Sequence, residues 1–267
     1  MTLHHTALGS AGSRVVFLHG LFGQGKNWTS IAKGLAEEHR VLLVDLPHHG
    51  RSPWSESFDY LEVAEQVAAT IAESGEGPVA LVGHSLGGKA AMVTALVHPE
   101  LVERLCVADI APVAYGAHRE FVDFVAAMQA VDLAKVERRS DAEDQLRDAV
   151  PDETVRSFLL QNLRRDPRAA SGWGWQVNLE VLGRDLEEIS GWPAERLAHT
   201  APYDGPVLWL AGGRSGYVRP ENDAAMDRWF PRNRKVTIKE AGHWLHSEQP
   251  EIFLEVLRRF LGDQPQS

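Results

Sequence analysis

Short apolar runs and longer stretches of helical periodicity alternate along this chain. Val15-Val16-Phe17-Leu18, Val41-Leu42-Leu43-Val44 and Pro78-Val79-Ala80-Leu81-Val82 are strand-length runs with no polar break. Residues 101–109, Val207-Leu208-Trp209-Leu210-Ala211 and Lys235-Val236-Thr237-Ile238 continue the series. Between them, 28–38, 60–73, 88–97, 221–230 and 251–261 carry helical spacing, and Leu61, Ala64, Val67, Ala68 and Ile71 form one apolar stripe. Strands apolar on both faces, alternating with helices, predict an α/β chain with a mostly parallel central sheet flanked by helices.

The alternation stops between 109 and 207. Phe121, Phe124, Val125 and Met128 space as one helix face, and Val155, Phe158, Leu159 and Asn162 as another. A segment this long between two strands cannot be a loop. It predicts a helical cap, residues 112–200, inserted into a core made of 1–111 and 201–267. The cap would cover the sheet's carboxyl edge, where α/β sheets place ligands. Trp173, Trp175 and Trp192 read first as cap core, with Trp175 also a candidate pocket wall.

Composition narrows the partners. With 44% apolar and 24% charged residues in 267, the chain reads as an ordinary globule able to bury a core and a lid. A formal net charge of -10 excludes nucleic acid or an anionic membrane as the main partner, since both need a basic face. The one cysteine, Cys106, cannot form an internal disulfide and lies in a strand-like run, so it reads as an inert core thiol in a reducing, cytoplasmic setting. The first ten residues lack a signal-peptide pattern, and no apolar stretch reaches the ~18 residues of a membrane span. The tail, 262–267, is expected to fray.

The candidate chemistry starts at Gly83-His84-Ser85-Leu86-Gly87, a G-x-S-x-G between a predicted strand and a predicted helix. That context is a nucleophile elbow with Ser85 as nucleophile. A serine hydroxyl needs a base, and Ala241-Gly242-His243-Trp244, past the last strand, supplies His243. His246 reads as a local cap or partner, and His84 as aimed elsewhere by the turn. The usual slot for the orienting acid follows the 207–211 strand, where Ser215 stands instead of aspartate. Asp109, at the end of the strand after the elbow, is the candidate acid; Glu221 and Asp223, both in the following helix, are fallbacks. The oxyanion donors are the backbone N–H groups of Leu86 and, from His19-Gly20-Leu21-Phe22-Gly23, of Leu21, with Phe22 next. Phe22, Trp175 and Trp244 are pocket candidates. His48 and His49 have no third ligand at metal spacing and read as structural or rim residues. Lys89 reads as an ion pair at the helix–sheet boundary.

The chain resembles the capped α/β-hydrolases, and more narrowly the YbfF-type esterases, bacterial proteins with mitochondrial animal relatives. His19-Gly20-Leu21-Phe22-Gly23, Asp45-x-x-x-His49-Gly50-x-Ser52, Gly83-His84-Ser85-Leu86-Gly87-Gly88-Lys89, Asp109-Ile110-Ala111-Pro112, Phe158-Leu159-Leu160-x-Asn162-Leu163, Trp175-x-x-Asn178-Leu179 and Ala241-Gly242-His243-Trp244 carry the resemblance in order along the chain. It implies carboxylester hydrolysis and an acid after the earlier strand, in agreement with Asp109. The few residues before Val15 imply that the extra N-terminal strands of longer hydrolases shrink to about one hairpin. The reading is a serine esterase for short- or medium-chain esters or thioesters, needing no metal or organic cofactor. Two other readings stand beside it: a cofactor-free lyase or haloperoxidase-like enzyme, which usually carries its acid where Ser215 lies, and a small-molecule binder with a vestigial triad.

Overall fold

The computed structural model describes residues 1–116 and 119–262. In chain order come β1 (His5–Leu8), β2 (Arg14–Leu18), α1 (Thr29–Leu35), β3 (Arg40–Val44), α2 (Tyr60–Glu73), β4 (Val79–His84), α3 (Leu86–Val97) and β5 (Val102–Ala108). An insert follows, with α4 (Arg119–Gln129), α5 (Arg139–Leu146), α6 (Glu153–Leu160), β6 (Leu163–Arg165), β7 (Trp173–Trp175), α7 (Leu179–Arg184) and α8 (Leu186–Ser190). The core resumes with β8 (Val207–Gly212), α9 (Asp223–Trp229), β9 (Asn233–Ile238), α10 (Leu245–Glu248) and α11 (Pro250–Gly262).

Seven strands form one sheet in the order β1-β3-β2-β4-β5-β8-β9, parallel except for β1. The continuous apolar runs are explained by two cores, one on each face. Val16 and Leu18 face the core shared with α2, α3, α9 and the insert, while Val15 and Phe17 face the one under α1 and α11. The two-residue period of a strand thus sends neighbours to opposite cores. Asp59 starts α2 by accepting from the N–H groups of Leu61 and Glu62. Cys106 is buried in β5, and burial pushes its thiol pKa up. No helix among the described residues is long and apolar enough to cross a membrane.

Two expectations need correction. The N-terminal strand makes no hairpin with its successor: β1 pairs with β3, from His5 opposite Val44 to Leu8 opposite Val41. Both edges of β2 are already taken by parallel neighbours, so β1 joins the free edge of β3. The insert is also not purely helical. Leu163–Arg165 pairs antiparallel with Trp173–Trp175 as a two-stranded ribbon. Three-residue strands are too short to display a period of two, which hid them in the sequence. Of the tail expected to fray, residues 263–267 lie outside the described residues.

Candidate active site

Ser85 is the single residue between β4 and α3, at φ 52° and ψ -118°. That left-handed backbone is strained for a side-chain-bearing residue. Its neighbours make it possible. A Cβ on Gly83 would lie 2.2 Å from the Gly87 carbonyl oxygen, and one on Gly87 would lie 2.5 Å from the carbonyl oxygens of Leu18 and His19. Only glycine fits at either position, so the turn is tight enough to lift Ser85 off the sheet end.

The loop from β9 to α10 carries His243, whose Nδ1 lies 2.8 Å from Asp109 Oδ2. Asp109 directly follows β5, has φ 52°, and is fully buried. Its Oδ1 accepts from the Gly212 N–H at 2.9 Å, and its Oδ2 also accepts from the Ser215 hydroxyl. The fallback acids lie elsewhere: Asp223 pairs with Lys235 at 2.6 Å and Glu221 with Arg219 at 3.7 Å.

Three further groups fix the histidine loop. The Tyr217 ring stacks on His243 with centroids 4.2 Å apart. The Glu248 carboxylate accepts from the N–H groups on either side of His243, Gly242 at 2.7 Å and Trp244 at 3.1 Å. His84 donates from Nε2 to the His243 carbonyl at 2.8 Å, a correction to its expected aim away from the site. Burial, with His243 and His246 nearby, drives the His84 pKa well below the ordinary imidazole value, so it acts as a neutral donor. His246 is not a cap. Its ring packs on Trp28 at 4.3 Å, because the α10 turn presses it into the helix-covered core.

The turn after β2 lies against the elbow: a Cβ on Gly20 would sit 3.4 Å from the Ser85 Cβ. Hydrogen-bond accounting separates the two oxyanion candidates in this turn. Phe22 donates its N–H to His49 Nε2 at 3.1 Å. The N–H groups of Leu21 and Leu86 have no partner among the described residues. His49 can accept because burial holds it neutral, with Nδ1 donating to the Pro47 carbonyl at 2.8 Å. His19 does the same for Leu46, accepting its N–H at 2.9 Å. The insert holds the turn from the other side. Asn162 donates to the Phe22 carbonyl at 2.8 Å and accepts from Gln24 at 2.8 Å.

Ser85 and His243 border a common cavity of about 290 Å³. Leu21, Phe22 and Trp244 line it, as do Phe121 and Phe124 of α4 and Phe158 of α6. Trp175 does not border it. It sits on the ribbon and packs against the hydrophobic core without reaching the cavity. Lys89 also departs from expectation, with no ion pair among the described residues. The buried face of α3 looks onto the carboxyl end of α8, so Nζ donates to the carbonyls of Ser190 at 2.6 Å and Gly191 at 2.5 Å. Burial pushes this ammonium down to about 7, opposed by Glu188.

Several contributors were invisible to sequence reasoning. In the sequence Ser215 signals only a missing aspartate, although a hydroxyl in that slot suits a donor to a neighbouring acid. Asn162 lay in a motif with no assigned role. Tyr217 and Glu248 gave no signal, since stacking and backbone clamping leave no spacing pattern.

The chain is similar to known proteins over nearly its whole length. A profile of the α/β hydrolase fold matches residues 13–250. The chain is 39% identical over 253 residues to the mouse (Mus musculus) sn-1-specific diacylglycerol lipase ABHD11, covering 92% of this chain and 80% of that protein. It is 32% identical over 251 residues to the esterase YbfF of Escherichia coli, covering 94% of each. A solved structure titled as a marine microorganism esterase superposes with a TM-score of 0.90 at 33% identity, over 97% of this chain and 99% of that one. The chain therefore belongs to the α/β hydrolase fold family, in the group that holds the YbfF-type esterases and their animal relatives.

Proposed function

We propose that the protein is a serine carboxylesterase working through an acyl-enzyme, with Ser85, His243 and Asp109 as its triad. The observation that carries this is the Asp109–His243 contact at 2.8 Å beside a cavity that Ser85 and His243 share. Ser85 Oγ attacks the ester carbonyl carbon while His243 Nε2 takes its proton. Asp109, bonded to Nδ1, fixes the tautomer and stabilises the imidazolium. The N–H groups of Leu21 and Leu86 hold the oxyanion. The tetrahedral intermediate collapses, His243 protonates the leaving oxygen, and the alcohol departs. His243 then removes a proton from water, which attacks the acyl carbon; the bond to Ser85 Oγ breaks, His243 returns the proton to Oγ, and the acid leaves.

The substrates proposed are short- to medium-chain esters or thioesters, because the cavity walls are aromatic and its volume is limited. Residues 112–200 serve as the cap, since α4 and α6 contribute those walls. An acid following β5, with a serine in the slot after β8, supports an esterase over the lyase and haloperoxidase alternatives. The test is Ser85→Ala assayed on nitrophenyl esters, alongside fluorophosphonate labelling of both proteins. Turnover should fall by about 10³-fold or more and labelling should vanish. A variant keeping a tenth of the activity removes Ser85 as nucleophile.

A further inference from the structure

A second, smaller cavity adjoins the first at Ser85. It measures about 30 Å³ and is lined by Ser85, Leu21 and Leu86 together with Lys89, Tyr115 and Ile189. Both proposed oxyanion donors border it, and His243 does not. The larger cavity shares Ser85 and Leu21 with it but not Leu86, and has His243 and Trp244 in its wall instead.

That asymmetry bears on which half of the substrate goes where. During acylation the bond from the carbonyl carbon to the leaving oxygen breaks, and that oxygen takes the proton held on His243 Nε2. The leaving group must therefore lie in the cavity that His243 borders. The acyl carbon stays bonded to Ser85 Oγ with its oxygen at Leu21 and Leu86, so the acyl chain runs to the other side.

We infer that the small cavity is the acyl pocket and that Ile189, Tyr115 and the aliphatic stem of Lys89 close its end. This rests on the serine-esterase reading and adds a substrate class: esters or thioesters of short acids with bulky, largely apolar alcohols or thiols. A space of about 30 Å³ admits roughly two methyl-sized groups, which limits the acyl part to about two to four carbons. The aromatic cavity of about 290 Å³ is left for the leaving group. Chain length is set by the insert, since Ile189 lies on α8 and the carbonyls of Ser190 and Gly191 anchor Lys89.

The test uses the purified full chain and two ester series. One holds p-nitrophenol constant and lengthens the acyl chain from acetyl to decanoyl. The other holds acetyl constant and enlarges the alcohol. The expected result is a kcat/KM maximum at short acyl chains, with a drop of at least about tenfold by octanoyl, and rates that hold or rise with alcohol size. Ile189→Ala should move the acyl optimum to longer chains, and Ile189→Phe should restrict the enzyme to acetyl esters. A wild-type optimum at octanoyl or beyond overturns the assignment, as does an unchanged optimum in a folded Ile189→Ala protein. If that variant does not fold, the two wild-type series decide alone. Fluorophosphonate labelling separates the failures. A labelled enzyme preferring long acyl chains sinks only the pocket assignment, whereas a protein that neither labels nor turns over any ester sinks the esterase reading with it.

Discussion

Asp109 concentrates the demands of the site in one residue. It accepts from His243, Gly212 and Ser215, and its backbone is held at a positive φ that few side-chain-bearing residues adopt. Three donors on one buried carboxylate fix its orientation, and that orientation fixes the imidazole. An amide in its place would present an N–H to His243 Nδ1 and favour the tautomer that cannot act as base at Nε2. Asp109→Asn should therefore lower kcat by roughly 10²–10⁴-fold while KM changes little. Ser215 touches the same carboxylate oxygen as His243, so Ser215→Asp in the Asp109→Asn background should restore part of the rate. Steady-state kinetics on one nitrophenyl ester checks both. A kcat within a few-fold of wild type for Asp109→Asn removes the aspartate from the triad.

At the scale of elements, the insert shapes the catalytic turn as well as the cavity. Asn162 follows α6, is fully buried, and ties the Phe22 carbonyl to Gln24. Phe22 is held by its N–H on His49 and by its carbonyl on Asn162, which leaves the adjacent Leu21 N–H aimed and unspent. Asn162→Ala leaves the Phe22 carbonyl and the Gln24 amide only their longer contacts to Gln161, at 3.3 and 3.5 Å, and should cost about 1–3 kcal/mol of stability. It should also loosen the Leu21 donor, lowering kcat by about tenfold or more with KM little changed. Thermal melting and kinetics on the same preparation separate the two effects, and unchanged kcat in a destabilised protein would make Asn162 purely structural. The sheet strands and core helices were legible in the sequence because apolar runs and 3.6-residue stripes follow from burial alone. Ser85 and Asp109 were legible as candidates because each directly follows a strand, and His243 because Gly242 marks its loop beyond β9. The ribbon was not, since Leu163 and Trp175 meet across a long loop with no local periodicity. Neither were the roles of Lys89 and Glu248, whose partners are backbone groups of distant segments and carry no residue-type signal.

For the whole molecule, buried neutral bases set the response to pH. Burial holds His19, His49 and His84 below the ordinary imidazole value and His246 at about 3. Between those folded values and about 6.5 the unfolded chain binds more protons than the folded one. Their stabilisation is thus complete above about pH 6.5 and is lost as pH falls below it. Protonation would also remove the acceptors that hold the N–H groups of Leu46 and Phe22. Lys89 adds a slope of the same sign at higher pH. Its folded value of about 7 lies below the unfolded 10.5, so stability continues to rise with pH from about 7 upward. Cys106 and the buried tyrosines reverse the trend above about pH 9, because burial raises their pKa values and the folded state then binds more protons. The melting temperature should climb from pH 5 to about 9 and then fall. Each contributing group is worth up to about 1.4 kcal/mol per pH unit inside its window. Lys89→Met should flatten the rise between pH 7 and 9 while leaving the slope between 5 and 6.5, where histidines rather than carboxylates titrate. Calorimetry across that range checks both limbs. A melting temperature independent of pH from 5 to 6.5 would mean that these histidines are not the neutral acceptors on which the Leu46 and Phe22 contacts depend.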